Sequence, residues 1–600
     1  QKPTPNPIPM PKPLWASAPF SVLLTLGFSC SWPASAAEYW VSPDGRDDPK
    51  RSGASEQPFA TIRFALARAT KPGDRVTVRA GTYRNEHAVF RGSGTAENPI
   101  TLQAEKGAKV VLKGSTEVSP ASWKLHQGAI YQAPWNFYFG AWEKRYLDDN
   151  PKNDPWHRGN KPRHRFFADG DVLEEVGRMD WLKENSYFIN RAEKTVYVWL
   201  KGGANPATKT VEGTTQELPL IATWGHSHLV IRGLHLEHLA NGSQGNAALR
   251  VSAPFGGHKG GQSNDILIED VAISKVAGSA LSVNGSRHIV RRGAFNDNGQ
   301  NGLHVAIAHD CLFEDIQYLR NNMHPGKEFD VGWEAVMKVA SSTNNVFNRL
   351  ESGHNNGMGF WIDGPNNRGN VLKNSRIHHN KFQGVRLEIC YDTTISNNLL
   401  YGNRQVAIEI SASIANRIFH NTIADNFDAA LGIDRVAKWR EGWEMSSYGN
   451  VILNNIVANN QRDRYKKSWI VAGAAKDTSQ NLPQGYGKTP VFPYADNVVN
   501  HNLFFLSADH PQRGTETFIS GGRFKTFEEY QQKSGLDAAS KWGDPMFVDA
   551  KNADYRLKAG SAARGMGADA TLIAAPVDAR GVKRQAGAVD VGAFQYQAGD

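Results

Sequence analysis

A small residue followed by an alternating apolar segment returns again and again through the middle of this chain. The equivalent positions are Ala248, Ala280, Gly302, Val336, Gly359, Gly384, Ala407 and Ala430, at spacings of 32, 22, 34, 23, 25, 23 and 23. The base period is therefore 22–25 residues, with two coils lengthened by loops. Self-similarity at a fixed period of this size means one supersecondary unit stacked on the next, each unable to bury its apolar face alone. Asparagines punctuate the same period at Asn344, Asn345, Asn374, Asn380, Asn397, Asn398, Asn403, Asn421, Asn426, Asn454 and Asn455. Asparagine tolerates left-handed backbone and can hydrogen-bond to its copy in the next unit. Leucine-rich repeats and propellers share neither the period nor the composition. The pattern predicts an all-β chain: a right-handed parallel β-helix with an N-terminal capping helix and a small β-rich insert. The 57 glycines and 40% hydrophobic content agree with a folded, turn-rich protein rather than a disordered one.

Within the repeat, four fragments align from residue 330 to residue 412: Trp333-Glu334-Ala335-Val336-Met337-Lys338, Gly359-Phe360-Trp361-Ile362-Asp363, Gly384-Val385-Arg386-Leu387-Glu388 and Ala407-Ile408-Glu409-Ile410-Ser411. Side chains alternate faces along a strand. Phe360 and Ile362, Val385 and Leu387, Ile408 and Ile410 therefore point inward, and the remaining positions stack outward in two columns. One column reads His304, Lys338, Trp361, Arg386, Glu409; the other reads Ala306, Ala340, Asp363, Glu388, Ser411, Asp434. Cations, an indole and paired carboxylates gathered on one outward face are the expected site. An exposed Trp361 there would offer a stacking platform for a sugar ring, and His304, Glu409 and Glu334 would line the substrate.

The expected organisation is a signal peptide over 1–37, an N-terminal cap and first coils over 38–116, an insert over 117–220, the central coils with the site over 221–470, and C-terminal coils with a closing cap over 471–600. Lys2 and Lys12 precede an apolar run and the small residues Ala34-Ser35-Ala36-Ala37, a pattern of export. The run is short for a membrane span. Cys30 would leave with this leader, and Cys311 and Cys390 sit in apolar strand contexts that predict burial rather than a disulfide scaffold. In the cap, Ile62, Ala65, Leu66 and Ala69 fall at helical spacing. The insert crowds Trp123, Trp135, Tyr138, Trp142, Trp156, Trp181 and Trp199 with Lys161-Pro162-Arg163-His164-Arg165. Those aromatics serve either as the insert's own core or as a wall of a sugar cleft. A long loop over 435–448, with Trp439, Trp443 and Tyr448, could close over the same outward face. The segments Gly543-Asp544-Pro545-Met546-Phe547-Val548 and Val591-Gly592-Ala593-Phe594 are expected to cap the far end. A formal net charge of +9, two of it from Lys2 and Lys12, suits an acidic polysaccharide partner. Nothing points to nucleic acid or membrane, and a secreted (periplasmic or extracellular) monomer is expected.

The run Asp330-Val331-Gly332-Trp333-Glu334-Ala335-Val336-Met337-Lys338, followed by Asn344-Asn345-Val346-Phe347, is similar to the middle of family nine pectate lyases. The segment from Glu38 to Tyr83 resembles their opening segment. The likeness implies a β-elimination chemistry in which Arg386, in Gly384-Val385-Arg386, stands where those enzymes carry a catalytic lysine. Their acidic calcium cluster has no counterpart: its coil reads Asn355-Asn356-Gly357-Met358-Gly359-Phe360-Trp361, with Asp363 just beyond.

Three functions follow from these residues. In elimination, Arg386 or Lys338 abstracts the proton beside a uronate carboxyl while the other cation, or a calcium ion between Asp363 and Glu388, neutralises that carboxyl. In hydrolysis by a glycoside hydrolase, one of Asp363 and Glu388 is the general acid and the other attacks the anomeric carbon or activates water, while Lys338, Arg386 and His304 bind acidic substituents. One coil apart, their carboxyls would lie roughly 5–6 Å from each other, near the separation of about 5–5.5 Å found in retaining enzymes. The third reading is a non-catalytic glycan-binding or adhesin β-helix, in which Lys338 with Glu409 and Arg386 with Glu388 are surface ion pairs of little energetic weight. The lyase is the leading expectation, the hydrolase the second. No His/Cys spacing suggests zinc.

Overall fold

The described turns of the repeat contribute one strand to a 13-stranded sheet and either two short strands or one long one, such as Leu312–Leu319, to a 23-stranded sheet. In one coil these are Val385–Glu388, Thr394–Ser396 and Leu399–Tyr401; in the next they are Ile408–Ser411, Arg417–Phe419 and Thr422–Ala424. Successive coils pair in parallel, in register through the centre of the stack, as in Val385 opposite Ile408 and Leu400 opposite Ile423, with a register shift between Val283 and Gly285. The computed structural model describes residues 36–140, 163–242, 245–252, 262–323, 335–434, 438–440, 443–445, 447–461, 470–471, 497–511, 513–515, 517–519, 523–572 and 574–598. The expected leader up to residue 35, Glu334, Trp142, Trp156, the loop over 473–496 and the side chains of 434–446 lie outside the described residues. Residues 37–600 form one unit.

The interior is a stack of apolar side chains one coil apart: Met337, Phe360, Val385 and Ile408 in one file, Val339, Ile362, Leu387 and Ile410 in the next, all fully buried. Each buried aliphatic side chain of this kind contributes about 1.5–3 kcal/mol of transfer free energy. The bends between strands are built from asparagine pairs with divided duties. The first residue of a pair takes the left-handed conformation, as in Asn344 (φ 58°), Asn397 (φ 57°) and Asn454 (φ 61°). The second is buried and bonds to its counterpart in the next coil: Asn398 Nδ2 donates to Asn421 Oδ1 and Asn421 Nδ2 to Asn455 Oδ1, both at 3.0 Å. A parallel file runs Asn355, Asn380, Asn403, Asn426, Asn460 at 2.8–3.0 Å.

Both ends of the core are covered by short helices. At the start, the helix Ile62–Leu66 buries Ile62, Ala65 and Leu66, and the Glu86 carboxylate accepts the Ile62 and Arg63 amides at 2.9 and 3.1 Å. At the far end, the helix Phe527–Ser534 lays Phe527 and Tyr530 on Phe518 and Phe504. This placement corrects the expected role of the C-terminal segment. Tyr555, Leu557, Val591 and Ala593 pack instead on the outward side chains of one flank, Tyr401, Ala424, Ile456 and Leu503. Outward positions such as Tyr401 and Ile456 are apolar, so that flank has to be covered.

The described residues of 115–140 and 163–214 lie outside the coil, which continues past them unbroken. Ala88–Val89 on one side pairs directly with Ile221–Ala222 on the other. Trp123, Trp135, Phe166 and Tyr187 build a separate apolar core between two small sheets, one antiparallel and one mixed. Glu212 fastens this insert to the coil: burial opposes its charge, yet His238, Lys113 and Arg84 hold its carboxyl below the usual range. Cys311 and Cys390 are free and buried, their thiols pushed up by burial to about 11 and about 12. Among the described residues no helix is long and apolar enough to cross a membrane.

Candidate active site

The outward face of the 13-stranded sheet carries both columns in the expected order. His304 is opposite Lys338, Lys338 opposite Trp361, Trp361 opposite Arg386, and Arg386 opposite Glu409. One step along the strands, Ala340, Asp363, Glu388 and Ser411 follow one another. Alternation puts these side chains outside because Phe360, Ile362, Val385 and Leu387 are committed to the core.

Lys338 Nζ lies 3.0 Å from Asp363 Oδ2. Arg386 Nε lies 3.2 Å from Glu388 Oε2 and 3.6 Å from Glu409 Oε2, and its Nη2 donates to Glu388 Oε1 at 3.3 Å. Gln383 Nε2 donates to the same Glu409 oxygen at 2.8 Å. The five charged side chains keep only 9–18% of their exposure. They differ in this from the ladder on another part of the coil, where Arg287, Arg292, Arg320 and Arg349 pair with Asp265, Asp270, Asp297 and Asp315 at 47–58% exposure of the arginines. The exposed ladder is the bland surface arrangement, worth little per pair. Burying charges is costly, and their attraction often fails to offset the lost hydration.

Trp361 departs from expectation. It is 2% exposed, in a cluster with Ala335, Met358 and Phe382. Lys338, one coil away, places its ammonium 3.4 Å from the ring centroid, and the Arg386 guanidinium sits 5.8 Å away on the next coil. The indole is thus held in a cation–π sandwich rather than presented as a platform. Its Nε1 is buried without a hydrogen-bond partner among the described residues, as is Gln383 Oε1. His304 is also buried, 3.5 Å from Ser282 Oγ through Nδ1. Burial and the neighbouring Lys338 lower it to about 4, which keeps it neutral at ordinary pH. The expected pairing of Lys338 with Glu409 is replaced by Lys338 with Asp363, because the acid beside Trp361's coil is closer than the one two coils on. Gln383 and Phe382 were not expected; the residue pair before Gly384 carried no charge to mark it.

A calcium ion does not fit Asp363 and Glu388. Both carboxylates are already opposed by protein cations, and a divalent ion between them would be driven against Lys338 and Arg386.

The family model for a right-handed β-helix region matches residues 258–415 and 361–473. With the parallel coils above, that settles the architecture. The chain is a right-handed parallel β-helix. A chondroitinase B family model matches residues 62–131 of this β-helix, a stretch that holds none of the charged cluster. The uncharacterized protein YwoF of Bacillus subtilis (strain 168) is 22% identical over 535 residues, covering 88% of this chain and 92% of its own. Among solved structures, XylC in complex with xylose is similar at a TM-score of 0.61 and 15% identity, over 93% of this chain and 98% of XylC. Pectate lyase Pel9A aligns over 94% of this chain and 97% of its own, at a TM-score of 0.39 and 13% identity. The likeness to XylC speaks for the fold alone.

Proposed function

We propose that this β-helix is an exported carbohydrate-processing enzyme that hydrolyses glycosidic bonds, with Asp363 and Glu388 as the reacting pair. The observation that carries the reading is a buried cluster of three carboxylates and two cations, at a destabilising cost that a scaffold has no reason to bear. Asp363 and Glu388 are register partners on neighbouring coils, about 4.8 Å apart along the stack. That spacing suits a double displacement with retention. Asp363, anchored by Lys338, attacks the anomeric carbon while the glycosidic bond breaks. Glu388 gives its proton to the departing oxygen and then takes one from the water that releases the sugar. Arg386 holds Glu388 in place and is itself braced by Glu409. Trp361 Nε1 and Gln383 Oε1 have no hydrogen-bond partner among the described residues, and sugar hydroxyls would satisfy them.

Elimination remains the second reading, favoured by Lys338 and Arg386 on one face of a basic chain. Both cations already hold carboxylates, so a uronate would have to displace an ion pair before meeting either. XylC was solved with xylose, so xylosides head the substrates to try, followed by acidic and neutral polysaccharides. New reducing ends without ultraviolet absorbance are expected. Asp363→Asn and Glu388→Gln should each lower the rate by about 100-fold or more. An unsaturated uronide absorbing in the ultraviolet would replace this reading with elimination, and full activity in both variants would move the chemistry elsewhere.

A further inference from the structure

A different face of the coil carries a histidine cluster that the proposed chemistry does not use. His354 follows the strand Val346–Gly353, His378 ends the strand Arg376–His378, and His379 comes next. Neighbouring coils set these residues together: Gly353 is opposite His378, and the His354 amide donates to the His378 carbonyl at 3.2 Å. The His354 and His379 rings stack at 4.8 Å with 12° between planes, and the His378 ring stands edge-on to both at 5.2 and 5.3 Å. One ligating nitrogen from each lies within 4.8 Å of the other two.

The arrangement is built rather than accidental. A Cβ on Gly353 would fall 2.3 Å from the His378 ring, and one on Gly402 would fall 2.8 Å from His379 Nε2. Glycine at both places is what lets the rings lie where they do. Glu351 Oε1 is 3.3 Å from His378 Nε2. Donation of that N–H to the carboxylate leaves the lone pair of His378 on Nδ1, which lies 3.1 Å from His379 Nδ1. A ring nitrogen fixed as acceptor by an outer carboxylate is the usual arrangement for a metal-bound histidine. Two nitrogens on one tetrahedral ion, each bonded at about 2.0–2.1 Å, are roughly 3.3 Å apart. His378 and His379 already meet that spacing, and His354, exposed at the surface, needs a side-chain rotation to close the set.

We propose that His354, His378 and His379 bind one divalent transition-metal ion of the Zn2+ class, with Glu351 as the outer carboxylate. Three imidazoles and no acid in the inner set favour zinc, nickel or copper over calcium or magnesium. A fourth position faces solvent, since His354 and His379 are both exposed. The ion would clip two coils together beside the place where the C-terminal segment docks. His378 stacks on Tyr401 at 4.9 Å, and Tyr401 meets Tyr555 of that segment at 5.4 Å.

The test uses the full chain without a histidine tag, stripped with chelator and titrated calorimetrically with zinc chloride and nickel chloride. One ion per chain with micromolar or tighter affinity is expected, together with a higher Tm in the presence of zinc. His354→Asn and His379→Asn, at exposed left-handed positions that asparagine tolerates, should each weaken binding by more than tenfold and abolish the Tm gain. Glu351→Gln should weaken it by about 10–100-fold. Asp363→Asn should bind zinc as the parent does, which separates this site from the carboxylate cluster. Affinity no better than millimolar, or affinity unchanged in His354→Asn and His379→Asn, overturns the proposal.

Discussion

Trp361 shows what a single residue can and cannot announce. Its place in the outward column is readable from alternation alone, and the structure puts it opposite Lys338 and Arg386 as that pattern requires. Its burial is not readable, because it depends on side chains of adjacent coils folding over the indole and on Phe382, which lies outside the aligned fragments. A platform exposed to solvent would tolerate replacement at the cost of substrate binding alone. A buried indole would not. Trp361→Ala should therefore lower unfolding free energy by about 3–5 kcal/mol, seen as a fall in the urea midpoint; a loss below about 1 kcal/mol would restore the platform. The ion pairs teach the same lesson. Which residues meet was legible from register, but which acid each cation takes was decided by side-chain reach, and Lys338 took Asp363 over Glu409.

At the scale of elements, the coil was plain in the sequence because its period repeats through a run of fully buried apolar positions. The asparagines marked the bends, and the structure adds their division of labour: one of each pair bends the backbone and the other bonds through the stack. Asn403 illustrates the energetic stake. Its Oδ1 accepts from the Asn380 side chain, and its Nδ2 donates to Asn426 Oδ1 and the Ile377 carbonyl. Asn403→Ala strands these buried partners and should cost about 1–3 kcal/mol for each group left unpaired. Thermal unfolding of this variant beside Leu387→Ala, expected to lose about 2–5 kcal/mol, would compare ladder with core. The docking of residues 547–594 on a flank was not legible, since those residues have no period, and their partners Tyr401 and Ile456 read as ordinary strand residues.

For the whole molecule, several histidines are enclosed in their neutral form. Burial lowers His164 to about 3 and His288 to about 4, and His304 also stands at about 4 with Lys338 adding to burial. His420, beside Arg584, is held well below its ordinary 6.5 for the same first reason, burial. Between pH 6.5 and about 4 the unfolded chain binds protons that the folded chain refuses. Stability is then fully present above pH 6.5 and drains away as pH falls, by up to about 1.4 kcal/mol per pH unit for each such histidine. Urea midpoints at pH 7.5, 6 and 5 should decline in that order; a flat profile would mean that these rings are protonated in the fold. The fold as a whole also has to be told where to stop. A parallel coil offers the same amides and the same apolar floor at its last turn as at every turn before it, and any free chain with strand character could take the next place. Phe527 and Tyr530 sit on that floor. Eight residues of helix thus give a potentially endless stack its last turn, and a clip that removed them would leave that turn open to the next strand that came by.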